Sequence, residues 1–394
     1  LCPGVCCQGI LLLISTAAWT SSRLANFLAP AIIVLVGLLI YSNTFHGPFV
    51  FDDNHALIEN WSVRHPETLP LHAPRYLAYL SFALNYHLGG YAVGGYHIVN
   101  LAIHVITALL VYLLLRLILR TPYFMSLNVR DTGTHLFSPK VRLLLPLLGA
   151  LLFVAHPVQT QAVTYIVQRM TSLSALFYLL AVVLYVQGRI VIEKTSPIIA
   201  PREVKQQGTS SVVTGSWLKG VLLIGAGFAA TILAMKTKET AFTLPFALIL
   251  CEVYFFRGRW KRRLLWLLPF LATLPIIPAS VIIASQVAET LDANVPTAED
   301  GVFAAGNLSR SVYLFTQFRV IVTYLRLLIF PVNQNIDYDY PVYPSFFAAP
   351  VFLSFLFLTG LFGLAVYLYF SFLPSGDFLK KSQDIEPQLA GSPR

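Results

Sequence analysis

Apolar runs close to 20 residues long recur along nearly the whole chain. A helix needs about 20 apolar residues to cross the roughly 30 Å hydrocarbon core of a bilayer, whereas the strands of a membrane β-barrel alternate over about ten. Charged residues make up only 11% of the chain and the mean hydropathy is +0.69, far from a soluble composition. The sequence therefore predicts an all-α polytopic membrane protein.

The apolar runs predict about eight transmembrane helices. They lie at about 24–42, 97–118, 141–156, 171–187, 218–235, 241–256, 264–285 and 346–370. With a cytoplasmic N-terminus, 19 of the 27 Lys and Arg residues fall on the inner side. This asymmetry is typical of the positive-inside rule, so the net charge of +9 indicates topology and not a nucleic-acid partner.

Three segments on the predicted outer side are too long to be simple turns. They span 43–96, 156–170 and 286–345, and they are rich in aromatic, His and carboxylate residues. The stretch 75–87 is apolar enough to lie as a helix in the membrane interface, and 156–170 has apolar positions spaced for another surface helix. The stretch 310–330 places Arg319 and Arg326, seven residues apart, on one helical face. Function is expected on this face.

Asp52 and Asp53 stand about ten residues beyond the first predicted span, where charge is scarce. Adjacent side chains of an extended or turn segment diverge, so one carboxylate could take a proton while the other orients the acceptor. A carboxylate in a cavity at the membrane edge can act as general base on an attacking hydroxyl. The alternative is ordinary turn chemistry, in which Asp side chains bond their own backbone.

Basic residues on the outer side are candidates for binding a phosphate, because a guanidinium fork or an ammonium matches phosphate oxygens. They are Arg169, Lys236, Lys238, Arg319 and Arg326. The alternative is that these side chains snorkel to lipid headgroups or pair with loop acids.

The second predicted span carries His97, Asn100 and His104 on one helical face. Polar residues in a membrane helix point into the bundle or a cavity, and interhelical hydrogen bonding is the expectation for His104. The outer face has no His-x-x-x-His or His-Glu-x-x-His helix beside a matching ligand, so no metal site is predicted. No Gly-rich phosphate loop is present either, which disfavours a nucleotide-driven pump.

Several motifs, taken in order, resemble the membrane domain of the transmembrane and tetratricopeptide-repeat O-mannosyltransferases and their bacterial relatives. They are Phe51-Asp52-Asp53-Asn54, Asn85-Tyr86, the helix from His97 to His104, His156-Pro157, Ala162-Val163 with Arg169, and Lys238-Glu239. This family belongs to the C-type glycosyltransferase (GT-C) superfamily. The resemblance covers about residues 40–345.

The resemblance implies a GT-C-like helical bundle with interfacial helices on its outer face, and a glycosyltransferase reaction with inversion. The donor would be a polyprenyl- or dolichol-phosphate sugar, with mannose as the expected sugar. The acceptor would be a Ser or Thr hydroxyl of a protein. Asp52 would be the base and Asp53 would help to position the acceptor. We expect His97, Asn100, His156 and Glu239 to line the cavity, and no cofactor or divalent metal is needed if Lys and Arg take the leaving charge.

The chain departs from this family because tetratricopeptide repeats and the last expected spans do not follow the eighth span. We expect a leader-like or interfacial segment at 1–23, an incomplete membrane domain at 24–372 and a polar tail at 373–394. The site would face the periplasm of a bacterial inner membrane or, alternatively, the lumen of the endoplasmic reticulum. A membrane transporter or lipid flippase, and an inactive truncated scaffold, remain as alternative functions.

Overall fold

The computed structural model describes residues 23–127, 138–195, 210–256, 260–290 and 309–372. The predicted tail and all but the last residue of the predicted leader-like segment lie outside these ranges. The described residues contain α-, 3₁₀- and π-helical segments and no β-strand, which confirms the all-α prediction. Cα proximity divides the chain into two compact units, Leu1–Asp300 and Gly301–Arg394.

The α-helices of the first unit are α1 (Arg23–Ile40), α2 (Trp61–Arg64), α3 (Tyr76–Gly89), α4 (Val93–Ile118), α5 (Pro122–Leu127), α6 (Pro139–Ala155), α7 (Thr160–Thr164), α8 (Arg169–Thr195), α9 (Ser210–Met235), α10 (Leu244–Phe255), α11 (Trp260–Leu271) and α12 (Ile276–Thr290). The second unit holds α13 (Arg310–Ile329) and α14 (Ala349–Phe372). Short 3₁₀ segments occupy Thr44–His46, Pro66–Thr68, Pro157–Gln159, Ile166–Gln168 and Glu239–Thr243, and a π-helical turn occupies Asn54–Ile58.

Six helical stretches among the described residues are long and apolar enough to cross a membrane. They are Val93–Ile118, Ile166–Lys194, Gly215–Met235, Trp260–Gln286, Arg310–Ile329 and Ala349–Ser371. A seventh candidate is the pair Lys140–Ala155 and Pro157–Thr164, bent by 48°. The chain is therefore a multi-pass membrane protein, and its described residues hold six or seven candidate spans where about eight crossings are predicted.

Two predicted spans do not reach full length among the described residues. The apolar helix Asn26–Ile40 is shorter than a candidate span, and α10 has only 12 residues. A helix rises 1.5 Å per residue, so α10 alone covers about 18 Å. The rest of the predicted sixth span is the 3₁₀ segment Glu239–Thr243.

Three of the segments predicted to lie between the transmembrane helices also differ from the structure. The stretch 156–170 is not one surface helix but a series of short 3₁₀ and α pieces, because Pro157 ends the regular turns of α6. Helix α13, predicted to lie outside the membrane, qualifies as a candidate span by length and composition. The predicted inner loop 188–217 is shortened from both ends, since α8 continues to Thr195 and α9 begins at Ser210.

Helices α8 and α9 approach closely because glycines meet at their interface. A Cβ added at Gly188 would lie 2.8 Å from the Gly220 carbonyl oxygen, and one added at Gly220 would lie 3.1 Å from the Gly188 carbonyl oxygen. Small residues allow this approach in membrane helices, where packing and not apolar burial drives association. The pair forms the centre of the largest apolar core, with α10 and α11 packed against it.

A buried ion-pair cluster joins α8, α10 and α11. The fully buried Glu252 carboxylate accepts from Tyr185 Oη at 2.7 Å, from Arg189 Nε at 2.5 Å and from Arg263 Nε at 3.3 Å. Buried charges persist only when they are paired and hydrogen-bonded. This cluster fixes the end of α8 that is predicted to face the cytoplasm.

The second unit is held by aromatic contacts between its two helices. The Phe318 and Phe355 rings lie 5.3 Å apart, and Phe346, in the connecting segment, lies 5.1 Å from Phe355. The side chain of Ser309 caps α13 by accepting the Val312 backbone N–H.

Candidate active site

The acidic pair lies where the chain leaves an extended segment and enters the π-helical turn Asn54–Ile58. Phe51, immediately before the pair, has a φ of 46°, in the left-handed region that a bulky residue adopts only under strain. Such strain, like an isolated π-helical turn, concentrates at functional sites. The two adjacent acidic residues differ clearly in solvent exposure: Asp52 is exposed, whereas Asp53 is 0% exposed.

The Asp53 carboxylate accepts hydrogen bonds from backbone N–H groups. One oxygen accepts the Val50 N–H at 3.1 Å and the other accepts the Val167 N–H at 2.7 Å. Burial raises the pKa of Asp53 above its usual value, although these hydrogen bonds act in the opposite direction. Both Asp53 oxygens are thus buried and engaged in joining two loops, and the predicted role of Asp53 in positioning an acceptor stays a prediction.

Tyr165 holds Asp52 directly. The Asp52 backbone N–H donates to Tyr165 Oη at 2.9 Å. Tyr165 is only 5% exposed. Burial raises its pKa to about 12, and the nearby Asp52 and Asp53 carboxylates act in the same direction, so the hydroxyl keeps its proton at neutral pH.

Asn100 supports the segment that carries Tyr165. Its amide nitrogen donates to the carbonyl oxygens of Val163 and Ile166, both at 3.3 Å, and its oxygen accepts from Arg169 Nε at 2.7 Å. The side chain is fully buried. Its polar atoms bond to the backbone and to Arg169, and the predicted role of Asn100 in a cavity stays a prediction.

The guanidinium of Arg169 joins the segments that support the acidic pair. Its guanidinium donates to Asn85 Oδ1 at 2.6 Å, to the Ser81 carbonyl at 3.2 Å and to the Tyr96 carbonyl at 3.0 Å, in addition to Asn100. It is 0% exposed. The buried guanidinium joins these segments in the structure, and the predicted phosphate contact of Arg169 stays a prediction.

The two histidines of α4 also point inward. His97 donates through Nε2 to the Gly47 carbonyl at 2.9 Å and is 1% exposed, so it braces the first outer loop and does not line an open cavity. His104 donates to the Val154 carbonyl of α6 at 3.2 Å. The interhelical hydrogen bond predicted for His104 is confirmed.

A second cluster, the basic turn, consists of Arg75, Lys236, Lys238 and Glu239. Arg75 Nε donates to Glu239 Oε1 at 2.9 Å, while Lys238 Nζ donates to Thr171 Oγ1 at 2.6 Å and Lys236 Nζ lies 3.5 Å from Ser280 Oγ. Burial lowers the pKa of Lys238, and Arg75 acts in the same direction. The cluster thus has three cations and one carboxylate, which pairs with Arg75, so its net charge is positive.

The basic turn and the acidic pair lie at the same end of α8. Lys238 contacts Thr171, two residues into the helix, and Asp53 contacts Val167, two residues before it. A shallow depression lies beside the basic turn, with Arg75, Met235, Glu239 and Ser280 in its wall. The predicted lysines and Glu239 therefore stay near the acidic pair.

The remaining predicted residues are His156 in the first unit and Arg319 and Arg326 in the second. His156 accepts the Val158 N–H through Nδ1 and so caps the 3₁₀ segment Pro157–Gln159. Arg319 and Arg326 belong to the second unit. There Arg319 donates to Thr323 Oγ1 at 2.8 Å, and Arg326 donates to the Val332 carbonyl at 3.3 Å. Their predicted phosphate contact, like the cavity role of His156, stays a prediction.

Sequence reasoning missed Tyr165 and Arg75. Tyr165 is one aromatic residue among 19 tyrosines, and no spacing in the sequence connects it to Asp52, 113 residues away. Arg75 has a weak signal, because it is one of the few basic residues on the predicted outer side and precedes an apolar helix.

The chain is similar to several curated proteins. It is 29% identical over 244 residues to protein O-mannosyl-transferase TMTC4 of Homo sapiens, which covers 57% of this chain and 29% of the relative. It is 31% identical over 170 residues to protein O-mannosyl-transferase tmtc2 of Xenopus laevis, covering 39% of this chain and 18% of the relative. It is 28% identical over 181 residues to protein O-mannosyl-transferase TMTC3 of Mus musculus, covering 42% and 17%.

These similarities confirm the resemblance to the O-mannosyltransferase family predicted from the motifs. The chain spans less than a third of the length of these relatives. No protein-family model matches the chain. No solved structure matches it either.

Proposed function

We propose that this chain is the membrane part of an inverting glycosyltransferase that moves a sugar, mannose, from a polyprenyl- or dolichol-phosphate donor to a Ser or Thr hydroxyl of a protein. The observation that carries the proposal is the division within the acidic pair. Asp52 is exposed on a strained turn and Asp53 is buried beneath it. The names of the similar proteins support the same reaction.

In the proposed reaction Asp52 takes the proton from the acceptor hydroxyl as its oxygen forms a bond to the anomeric carbon. The bond from that carbon to the phosphate oxygen breaks, and the lipid phosphate leaves with the electron pair. One displacement by one base inverts the anomeric centre. Asp53 touches neither substrate in this scheme and acts as a positioning residue for its neighbour.

The basic turn is the proposed site for the donor phosphate. Lys236, Lys238 and Arg75 outnumber Glu239, and burial disfavours the charged form of Lys238 until an anion lies beside it. A phosphate there would be stabilised as negative charge develops on the leaving oxygen. No divalent metal is required in this scheme. Arg319 and Arg326 remain proposed as additional phosphate contacts.

The proposed side of the membrane is the non-cytoplasmic one, as the positive-inside pattern predicts. The matched relatives come from animals, which have no periplasm. This favours the endoplasmic reticulum membrane, with the site facing the lumen, over a bacterial inner membrane.

The test is an Asp52→Asn variant assayed with radiolabelled dolichyl-phosphate mannose and a Ser/Thr-rich peptide. Loss of a general base is expected to lower transfer by at least about 100-fold. Glu59→Gln is the matched control, because Glu59 is another exposed carboxylate of the same loop and pairs with His55 at 3.0 Å. Transfer that survives unchanged in Asp52→Asn would disprove the assignment of the base.

A further inference from the structure

We propose that Tyr165 is the positioning residue that aims Asp52 at the acceptor hydroxyl. This inference rests on the proposed function and adds to it the residue that orients the base. The two residues are 113 positions apart and belong to different outer segments. Their contact is therefore a tertiary feature of the fold and not a local turn.

The first support is geometric. An exposed side chain on a loop samples several rotamers, and a general base is efficient only when its oxygen is held within hydrogen-bond reach of the proton it takes. The Tyr165 hydroxyl accepts the Asp52 backbone N–H at 2.9 Å. This hydrogen bond fixes the backbone from which the Asp52 carboxylate projects.

The second support is the rigidity of Tyr165 itself. Its ring packs in a buried cluster with Leu57, Phe82 and Tyr96. The carbonyls of Val163 and Ile166, on either side of it, are held by Asn100, which Arg169 holds in turn. Because Tyr165 is anchored in this way, its hydroxyl can fix the position of the exposed Asp52 carboxylate relative to the helical bundle.

The third support is the strain at Phe51. This residue is 63% exposed, so no packing of its side chain explains a φ of 46°. The bonds that follow it, from Asp52 to Tyr165 and from Asp53 to Val167, hold the backbone in this conformation. Without the Tyr165 hydroxyl, the Asp52 end of the turn is free to relax.

The test compares Tyr165→Phe with Tyr91→Phe in the full chain. Both changes delete one hydroxyl and keep the ring, and Tyr91 Oη donates to the Ile58 carbonyl instead of contacting Asp52. Transfer from dolichyl-phosphate mannose to a Ser/Thr-rich peptide is measured as kcat and KM. Hydrogen exchange of the Asp52 backbone amide reports on its hydrogen bond to Tyr165 independently of any activity measurement.

Tyr165→Phe is expected to lower kcat by about tenfold to 100-fold with little change in either KM, because a misplaced base slows the chemical step. It should also speed exchange at the Asp52 amide. Tyr91→Phe should change neither quantity, and both variants should unfold at similar temperatures. A purely structural role would move the unfolding temperature and not kcat alone.

The outcomes separate the two proposals. If Asp52→Asn abolishes transfer while Tyr165→Phe leaves kcat unchanged, the positioning role is wrong and the proposed function stands. If exchange at the Asp52 amide is the same in Tyr165→Phe and in the unchanged protein, the contact itself is wrong. If the unchanged protein transfers no sugar, or Asp52→Asn remains fully active, the proposed function fails and the inference fails with it.

Discussion

The Asp53 carboxylate accepts the Val167 backbone N–H at 2.7 Å and thereby joins two outer segments across 114 residues of chain. Replacing Asp53 with Asn turns one acceptor oxygen into a donor, which leaves a backbone N–H without its partner. We expect the free energy of unfolding to fall by about 1–3 kcal/mol, the cost of an unsatisfied buried group. Thermal unfolding in detergent measures it.

Asp52→Asn is the matched control for Asp53, because it makes the same chemical change on the exposed neighbour. Its effect on stability should stay within about 0.5 kcal/mol, as is usual for surface substitutions. Equal stability of the two variants would contradict the division of roles within the acidic pair.

Arg169→Lys should destabilise the protein although it conserves the charge. A lysine ammonium is a single point and cannot reach the acceptors on Asn85, Asn100, Ser81 and Tyr96 that the guanidinium fork joins. Breaking such a buried charged network costs about 3–5 kcal/mol. Circular dichroism melting would detect it.

The comparison for this change is Arg116→Lys, on α4. Arg116 is only partly buried and makes a long 3.4 Å hydrogen bond to Tyr112 Oη. We expect a loss below about 1 kcal/mol there. A melting temperature of Arg169→Lys no lower than that of Arg116→Lys would show that the network is dispensable.

Gly188→Ala should separate α8 from α9. The new methyl group would lie 2.8 Å from a backbone oxygen, so a helix must shift, and overpacking of this kind costs about 1–3 kcal/mol. Gly225→Ala on α9 is the control, because nothing lies within 4 Å of its added Cβ. That variant should be neutral or more stable by up to about 1 kcal/mol, since Ala favours the helix. The two melting temperatures should therefore change in opposite directions or by clearly different amounts.

Lys238 should make donor binding sensitive to alkaline pH. Burial lowers the pKa of its ammonium, so the positive charge is lost at a lower pH than for an ordinary lysine, and affinity for an anionic donor should fall as pH rises through that value. Lys238→Arg should move this loss to higher pH, because a guanidinium stays protonated to about pH 12. The measurement is the donor KM as a function of pH. Identical pH profiles for the two proteins would exclude Lys238 from the phosphate site.

Much of the fold could be predicted from the sequence, because long apolar runs with few charges have few alternatives to membrane helices. The predicted spans at 97–118, 218–235 and 346–370 fall within or closely match helical stretches. The polar face with His104 was also predictable, since its periodicity is local. Helix α13 shows the limit: Arg319 and Arg326 on one helical face indicated a helix on the outer side, although the length and composition of the helix also suit a span.

The chemistry of the candidate site was less predictable, because it depends on contacts between distant segments. The residue type does not tell which of Asp52 and Asp53 is buried; the backbone at Phe51 and the N–H of Val167 decide it. Arg169 shows the same limit from the opposite side. Its charge indicated a phosphate ligand. In the structure its guanidinium donates to protein groups that include the Ser81 carbonyl and Asn100, so it has a structural role.

Helix α8 carries a buried, hydrogen-bonded arginine near each end. Arg169 lies at its start, and Arg189, bound to Glu252, lies 20 residues later. Twenty helical residues cover about 30 Å, the thickness of the hydrocarbon core. Both arginines bond to groups of other segments, so α8 cannot slide along its own axis relative to the helices around it. The acidic pair, bonded to the chain just before Arg169, therefore keeps a fixed distance from the Glu252 cluster near the other end of the helix.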